Sequence, residues 1–240
     1  MNSRPVTYIL AAMLALASTT ASSGQVTPPS QTSEKSLSEG QALLKAGKVS
    51  QSIKLLERAR NQSPTDAVVL VTLGKAYKEA HQYEKARNAL KQAWRAARGT
   101  ATATAANQEL LTLPENLQAP RAKRVVARMR GRRIAAAGLV RVKLIAFTAS
   151  WAEPCKRLNA AIEKARTEWG DKVELVSVDV DDPKNDYLLE QYDVAPVPTV
   201  VFLDQEGKMV SYLVGYSGEA ALYQRIKALT SGTKADGSTG

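Results

Sequence analysis

The chain has 240 residues, 44% of them hydrophobic, and a formal net charge of +10. That apolar content supports one or two domains with cores of their own and excludes a disordered chain. A single cysteine, Cys155, and a single histidine, His81, exclude an intramolecular disulfide and leave no cysteine-rich or histidine-based metal cluster, so no metal or other cofactor is expected.

Residues 1–23 begin with one basic residue, Arg4, continue with an apolar run from Tyr8 to Ala17, and end in small residues including Ala21, Ser22 and Ser23. This is the layout of a secretory signal peptide. The apolar run is shorter than the ~20 residues of a membrane span, so a secreted or periplasmic location is expected. The alternative is an N-terminal membrane anchor that leaves the rest outside the cytoplasm. Residues 24–33 are polar and contain prolines, which predicts a flexible lead.

From there the sequence repeats itself at a spacing of 34 residues: Gly40 matches Gly74, Leu43 matches Tyr77, Val49 matches Tyr83, Leu56 matches Leu90 and Ala59 matches Ala93. Small residues at Gly74, Ala86 and Ala93 would let two antiparallel helices approach, with Tyr77 and Leu90 filling the seam. The pattern resembles the tetratricopeptide repeat, with Glu39 and Ser52 departing from it. The resemblance implies a peptide- or helix-binding groove, with Tyr77 and Tyr83 as candidate partner-binding residues. His81 falls between the two helices of the second unit and reads as a turn residue.

Two repeats are too few to stand alone. Residues 101–113 are helix-compatible and end at Pro114, so they are expected to cap the open end, and the helical module runs over 34–113. Residues 114–120 carry two prolines and predict a linker. Positive charge then concentrates: residues 121–143 hold nine basic residues and no acidic one. Val125, Val126, Met129 and Ile134 fall at helical spacing, so residues 121–133 are expected to form an amphipathic basic helix with a solvated face. A nucleic-acid partner is disfavoured, because no aromatic residues interleave with the basic ones. Contact with an anionic membrane is the remaining reading of this charge, and it ranks below the solvated face.

Residues 142–147, 173–180, 199–203 and 208–214 read as strands, and residues through Trp169, 184–192 and 219–229 as helices. Asp204-Gln-Glu-Gly207 reads as a hairpin turn between the last two strands. Strand–helix alternation closed by a hairpin predicts an α/β domain, a mixed central sheet with helices on both faces, over residues 121–230 including the basic helix. The tail 231–240 is small, polar and expected to be disordered. Phe147, Trp151, Pro154, Cys155 and Lys156, then Val197-Pro198-Thr199, then Gly215 occur in an order that resembles thioredoxin. The whole is thus expected to be multidomain, all-α repeats followed by a thioredoxin-like fold.

The resemblance implies that Pro198 forms a cis peptide bond and that Trp151, Val197 and Pro198 dock an extended peptide. Trp151 has a second reading, packing beside Pro198. The resemblance also implies an active-site turn at Ala152, Glu153 and Pro154, and here the sequence departs from the family. Ala152 stands where the attacking cysteine belongs, and Cys155 matches the resolving one. Ala146 and Ser177 stand where a proton-handling acid and lysine are expected. A methyl group cannot attack sulfur, and dithiol exchange needs both thiols. The expectation is an exported protein that binds or chaperones protein partners without dithiol turnover. The alternative is a thiol–disulfide oxidoreductase or monothiol exchanger with Cys155 as its catalytic residue. Asp179, Asp181 and Asp182 lack the glycine and distal glutamate of a calcium loop and read as loop and cap residues.

Overall fold

The computed structural model describes residues 31–121 and 142–231, apart from residue 205. The expected signal peptide, most of the lead, all but the first residue of the basic helix and nearly all of the tail lie outside the described residues. Five helices come first: α1 Gln31–Lys45, α2 Val49–Gln62, α3 Ala67–Glu79, α4 Tyr83–Ala96 and α5 Ala101–Leu111. Helix α1 begins three residues inside the segment expected as a lead, with Ser33 already buried.

The 34-residue repeat is a repeat of contacts. A Cβ added at Gly40 would lie 2.8 Å from the Leu56 side chain, and one at Gly74 would lie 2.6 Å from that of Leu90. Each glycine therefore admits the leucine of the next helix, as the spacing implied. Ser52, a departure from the repeat, is buried and donates a 2.7 Å hydrogen bond to the Gly40 carbonyl, so its hydroxyl is satisfied within the helix pair. His81 occupies the turn before α4 with φ 57°. Asp66 caps α3 by accepting from the Val68 and Val69 amides, a bonding of otherwise orphaned donors.

Helix α5 packs on α3 and α4, as expected of a cap, burying Ala103, Ala106 and Leu110. The expected linker is a correction. Glu115–Gln118 form a short helix, α6, with Leu117 buried and its carbonyl bonded to the Arg87 side chain. The two prolines do not make a free hinge here, because Leu113 and Leu117 are both drawn into the apolar core.

The second domain runs β1 Val142–Thr148, α7 Glu153–Trp169, β2 Val173–Asp179, α8 Asp186–Gln191, β3 Thr199–Leu203, β4 Met209–Val214 and α9 Glu219–Thr230. The sheet order is β2-β1-β3-β4. Strands β1 and β2 are parallel, while β1–β3 and β3–β4 are antiparallel. Alternation along β1 and β3 divides two apolar layers. Leu144, Ala146, Val200 and Phe202 join Leu158, Ile162, Leu222 and Ile226 of α7 and α9. Ile145, Phe147, Val201 and Leu203 join a cluster that continues without a break through Leu189 into Leu110, Leu113 and Leu117 and on into the repeats. One face of the sheet is thus completed within its own domain, and the other by the helices that precede it.

Candidate functional site

The β1–α7 turn places the residues singled out by the sequence. Ala152 precedes α7, whose first residues are Glu153, Pro154 and Cys155. Proline fits a first helical turn because its missing N–H would have had no partner there. Ala152 is 4% exposed and Cys155 is wholly buried. Burial pushes the Cys155 thiol up to about 11, and the negative charge of Asp181 adds to the rise against an opposing backbone hydrogen bond at Ala149. A position near a helix N-terminus favours a thiolate, but desolvation outweighs it here. Glu153 is exposed and paired with Lys156 at 3.0 Å.

Trp151 is half-buried, packs against the shared cluster and donates from Nε1 to Asp181 at 3.2 Å. Asp179 accepts from the Asp181 amide, and Asp182 accepts from the Lys184 amide ahead of α8, so each of the three aspartates has a turn, cap or side-chain partner. Ala146 and Ser177 stand directly opposite one another in the β1–β2 register. The two places where a proton-handling pair was expected are neighbours, and neither side chain ionises.

The Val197–Pro198 bond is cis, and both residues are buried. The Pro198 carbonyl accepts from Gly215 at 2.8 Å. Gly215 has φ 73°, and a Cβ built there would lie 4.0 Å from Leu111 of α5. Just before β3, Val197 meets an occupant that nothing in the sequence marked. Asn107 of α5 donates from Nδ2 to the Val197 carbonyl at 2.7 Å, and its Oδ1 accepts from the Val197 amide at 2.7 Å. Asn107 is 5% exposed.

A second set of residues ties α4 to α8. Arg87, Lys91 and Arg95 recur at four-residue intervals on one face of α4, and Arg98 follows just past its end. They meet Asp186, Glu190 and Asp193: Arg87 pairs with Asp193 at 2.9 Å, Lys91 also with Asp193, Arg95 with Glu190 and Arg98 with Asp186. Arg87 is the buried member, 2% exposed, and its guanidinium also bonds the carbonyls of Leu117 at 2.7 Å and Asp193 at 2.8 Å. Burial works to raise the Asp193 carboxyl, but Lys91 and Arg87 outweigh it and hold the group below the usual aspartate range. The 4,4,3 spacing of basic residues along and just past α4, and the acidic residues in and just past α8, were a signal present in the sequence.

The candidate partner-binding tyrosines divide. Tyr77 is a correction: it is 2% exposed, and its hydroxyl donates to Glu57 at 2.6 Å, so it fills the seam and is not presented to a partner. Burial, followed by that bond and the charge of Glu57, raises its pKa to about 12. Tyr83 is half-buried, lies 2.7 Å from His81 Nδ1 through its hydroxyl, and borders an open hollow of about 400 Å³ with Gln82, Lys85 and Asn116. Among the described residues no helix is long and apolar enough to cross a membrane.

The tetratricopeptide-repeat family model matches residues 43–106 and the thioredoxin family model residues 137–228. Thioredoxin of Bacillus subtilis is 34% identical over 85 residues, 35% of this chain and 79% of that protein. Thioredoxin of Mycolicibacterium smegmatis is 32% identical over 83 residues, 35% of this chain and 73% of that protein. The chloroplastic thioredoxin-like protein HCF164 of Arabidopsis thaliana is 32% identical over 89 residues, which is 37% of this chain but only 34% of that relative's length. With the sheet order, the cis Val197–Pro198 bond and these relatives in agreement, the chain belongs to the thioredoxin family and carries tetratricopeptide repeats ahead of that domain.

Proposed function

We propose that this protein binds polypeptide partners, in an adaptor or chaperone-like role, and that its thioredoxin domain works without dithiol turnover. The observation that carries this reading is the state of Cys155, the only thiol in the chain, which is wholly buried with its pKa pushed up to about 11. A thiolate is the attacking species in disulfide exchange. At pH 8 a group with that pKa is ionised to about one part in a thousand, against roughly a quarter for an unperturbed cysteine near 8.5. Ala152 cannot substitute for it, and the non-ionising pair Ala146 and Ser177 removes the proton-handling groups as well.

Binding falls to the repeats, a module type that mediates protein–protein contact, and docking of an extended segment falls to the Val197–Pro198 edge. The half-buried Tyr83 beside its hollow is the candidate contact that remains of the two. Export to a secreted or periplasmic location, with removal of residues 1–23, completes the proposal. It is tested by determining the N-terminus of the mature protein.

An insulin-reduction assay with dithiothreitol tests the chemistry. Wild type and Cys155→Ser are expected to show no turnover above dithiothreitol alone. Turnover that disappears in Cys155→Ser would establish the monothiol exchanger instead. Iodoacetamide should label Cys155 at least about 100-fold faster in denaturant than in native protein, given the thiolate fractions above.

A further inference from the structure

We propose that Asn107 is an internal stand-in for an extended peptide, and that α5 thereby keeps the Val197 edge of the thioredoxin domain closed until the helix is displaced. The geometry is that of strand pairing. In extended backbone a residue's own N–H and C=O point to the same side, and in an antiparallel hydrogen-bonded pair the two facing residues exchange both bonds. Val197 precedes β3 and lies outside its ladders, since the β1–β3 and β3–β4 pairings begin at Thr199. Its N–H and C=O are nevertheless both bonded, each at 2.7 Å, to the one side-chain amide of Asn107.

A primary amide carries the same donor and acceptor as a peptide unit, so Asn107 satisfies the edge as a residue of a bound peptide would. Asparagine is a poor choice for a buried helix interior on propensity alone. On a helix whose other buried residues are Ala103, Ala106 and Leu110, this bond pair is the role the structure gives it.

The same helix is held from its other side by the repeats. Glu109 pairs with Lys78 and, at 3.5 Å, with Lys75, and Thr112 accepts from Lys78 at 3.0 Å. Helix α5 therefore belongs to the repeat stack and to the Val197 edge together. A partner that shifts α5 within the stack opens the edge, and a peptide that takes the edge must first expel Asn107. This inference rests on the peptide-binding half of the function proposed above and is independent of its redox half.

The test uses the full mature chain and a fluorescein-labelled, S-carboxymethylated insulin B chain, an extended peptide without reactive thiols. Two readouts run in parallel: anisotropy of the peptide and hydrogen exchange of the Val197 amide. Asn107→Ala removes the stand-in. Glu190→Arg loosens the α4–α8 contact without touching Val197, and it serves should Asn107→Ala fail to fold. Either variant is expected to speed Val197 exchange at least tenfold and to bind the peptide at least tenfold more tightly than wild type, and excess peptide should accelerate exchange at Asn107 in wild type.

Equal peptide affinity in wild type and the variants, with Val197 exchange accelerated, overturns the closure. Accelerated exchange with no peptide binding in any form overturns the edge as a docking site and, with it, that part of the proposed function. Binding by wild type that is lost in Asn107→Ala would make Asn107 a contact for the partner and also overturn the proposal.

Discussion

The two faces of the thioredoxin sheet bury comparable side chains but are finished in different ways. On one face Leu144, Val200 and Phe202 meet α7 and α9, and the layer closes within the domain. On the other, Ile145, Phe147 and Val201 meet a cluster that extends through α8, α6 and α5 to Trp94 and Leu90 of the repeats. A domain able to stand alone would present a polar surface there. This one instead continues its core into the preceding helices and seals the boundary with charge from α4 to α8. The difference accounts for Ala152, which at 4% exposure is an apolar residue in an apolar layer, where a thiolate would be costly. It also explains how two repeats suffice: the sheet does the work of a further repeat in covering α5.

Truncations of similar size on each face test that continuity most severely. Leu110→Ala on the shared face and Leu158→Ala on the closed face remove side chains that are 1% and 2% exposed. Each should cost about 2–5 kcal/mol. If the shared layer couples the domains, both variants lower one common unfolding transition, followed by Trp94 in the repeats and Trp169 in the thioredoxin domain. Two separate transitions, with Leu158→Ala moving only the Trp169 signal, would break the comparison.

Next in size is the buried cation. Arg87→Met leaves Asp193 facing only Lys91 and abandons the Leu117 carbonyl. Removing one partner of a fully buried pair costs 3–5 kcal/mol, and because the Asp193 side chain keeps 17% exposure the loss is discounted to about 2–3 kcal/mol. Urea titration should show a lower midpoint at an unchanged slope. A loss confined to one domain would mean that Arg87 serves the repeats alone.

How much of this was legible in the sequence depends on the range of the interaction. The repeat was legible because Gly74 and Leu90 lie on consecutive helices and their packing leaves a periodic trace. The strands were legible from β-branched runs. The fate of 114–120 was not, since its prolines describe local backbone and say nothing about where Leu117 goes. Asn107 was invisible for the same reason, because its partner is a backbone amide 90 residues away and a backbone group has no sequence signature. The basic row of α4 lay in plain view but reads as a solvated helix face until α8 is placed opposite it. Tyr77 misled because the same residue that fills the seam between helices is also aromatic and polar.

A smaller effect separates packing inside the repeats from packing across the boundary. Gly74→Ala forces a methyl to within 2.6 Å of Leu90, which should cost about 1–3 kcal/mol through overpacking. Leu90→Ala in the same chain relieves the clash, so the double variant should be less destabilised than the sum of the two single losses. Strict additivity would show that the two residues do not meet.

The gentlest way to sharpen the contrast is pH, because only the shared face carries an ionised carboxyl between the domains. Asp193 has a folded pKa below the ordinary value, so in acid the unfolded chain binds more protons at this site than the folded one. Its stabilising contribution is therefore complete above the ordinary aspartate pKa of about 3.9 and drains away as the pH falls through the lower folded value. Protonation leaves Arg87 and Lys91 facing a neutral acid. Wild type should lose more stability between pH 6 and pH 3 than Asp193→Asn, which has no proton to gain, and the gap between the two urea curves should narrow steadily with acidification. Parallel curves down to pH 3 would show that the charge on Asp193 contributes nothing at the boundary, leaving the apolar layer, the Arg95 and Arg98 pairs and the Asn107 bonds to hold the domains together.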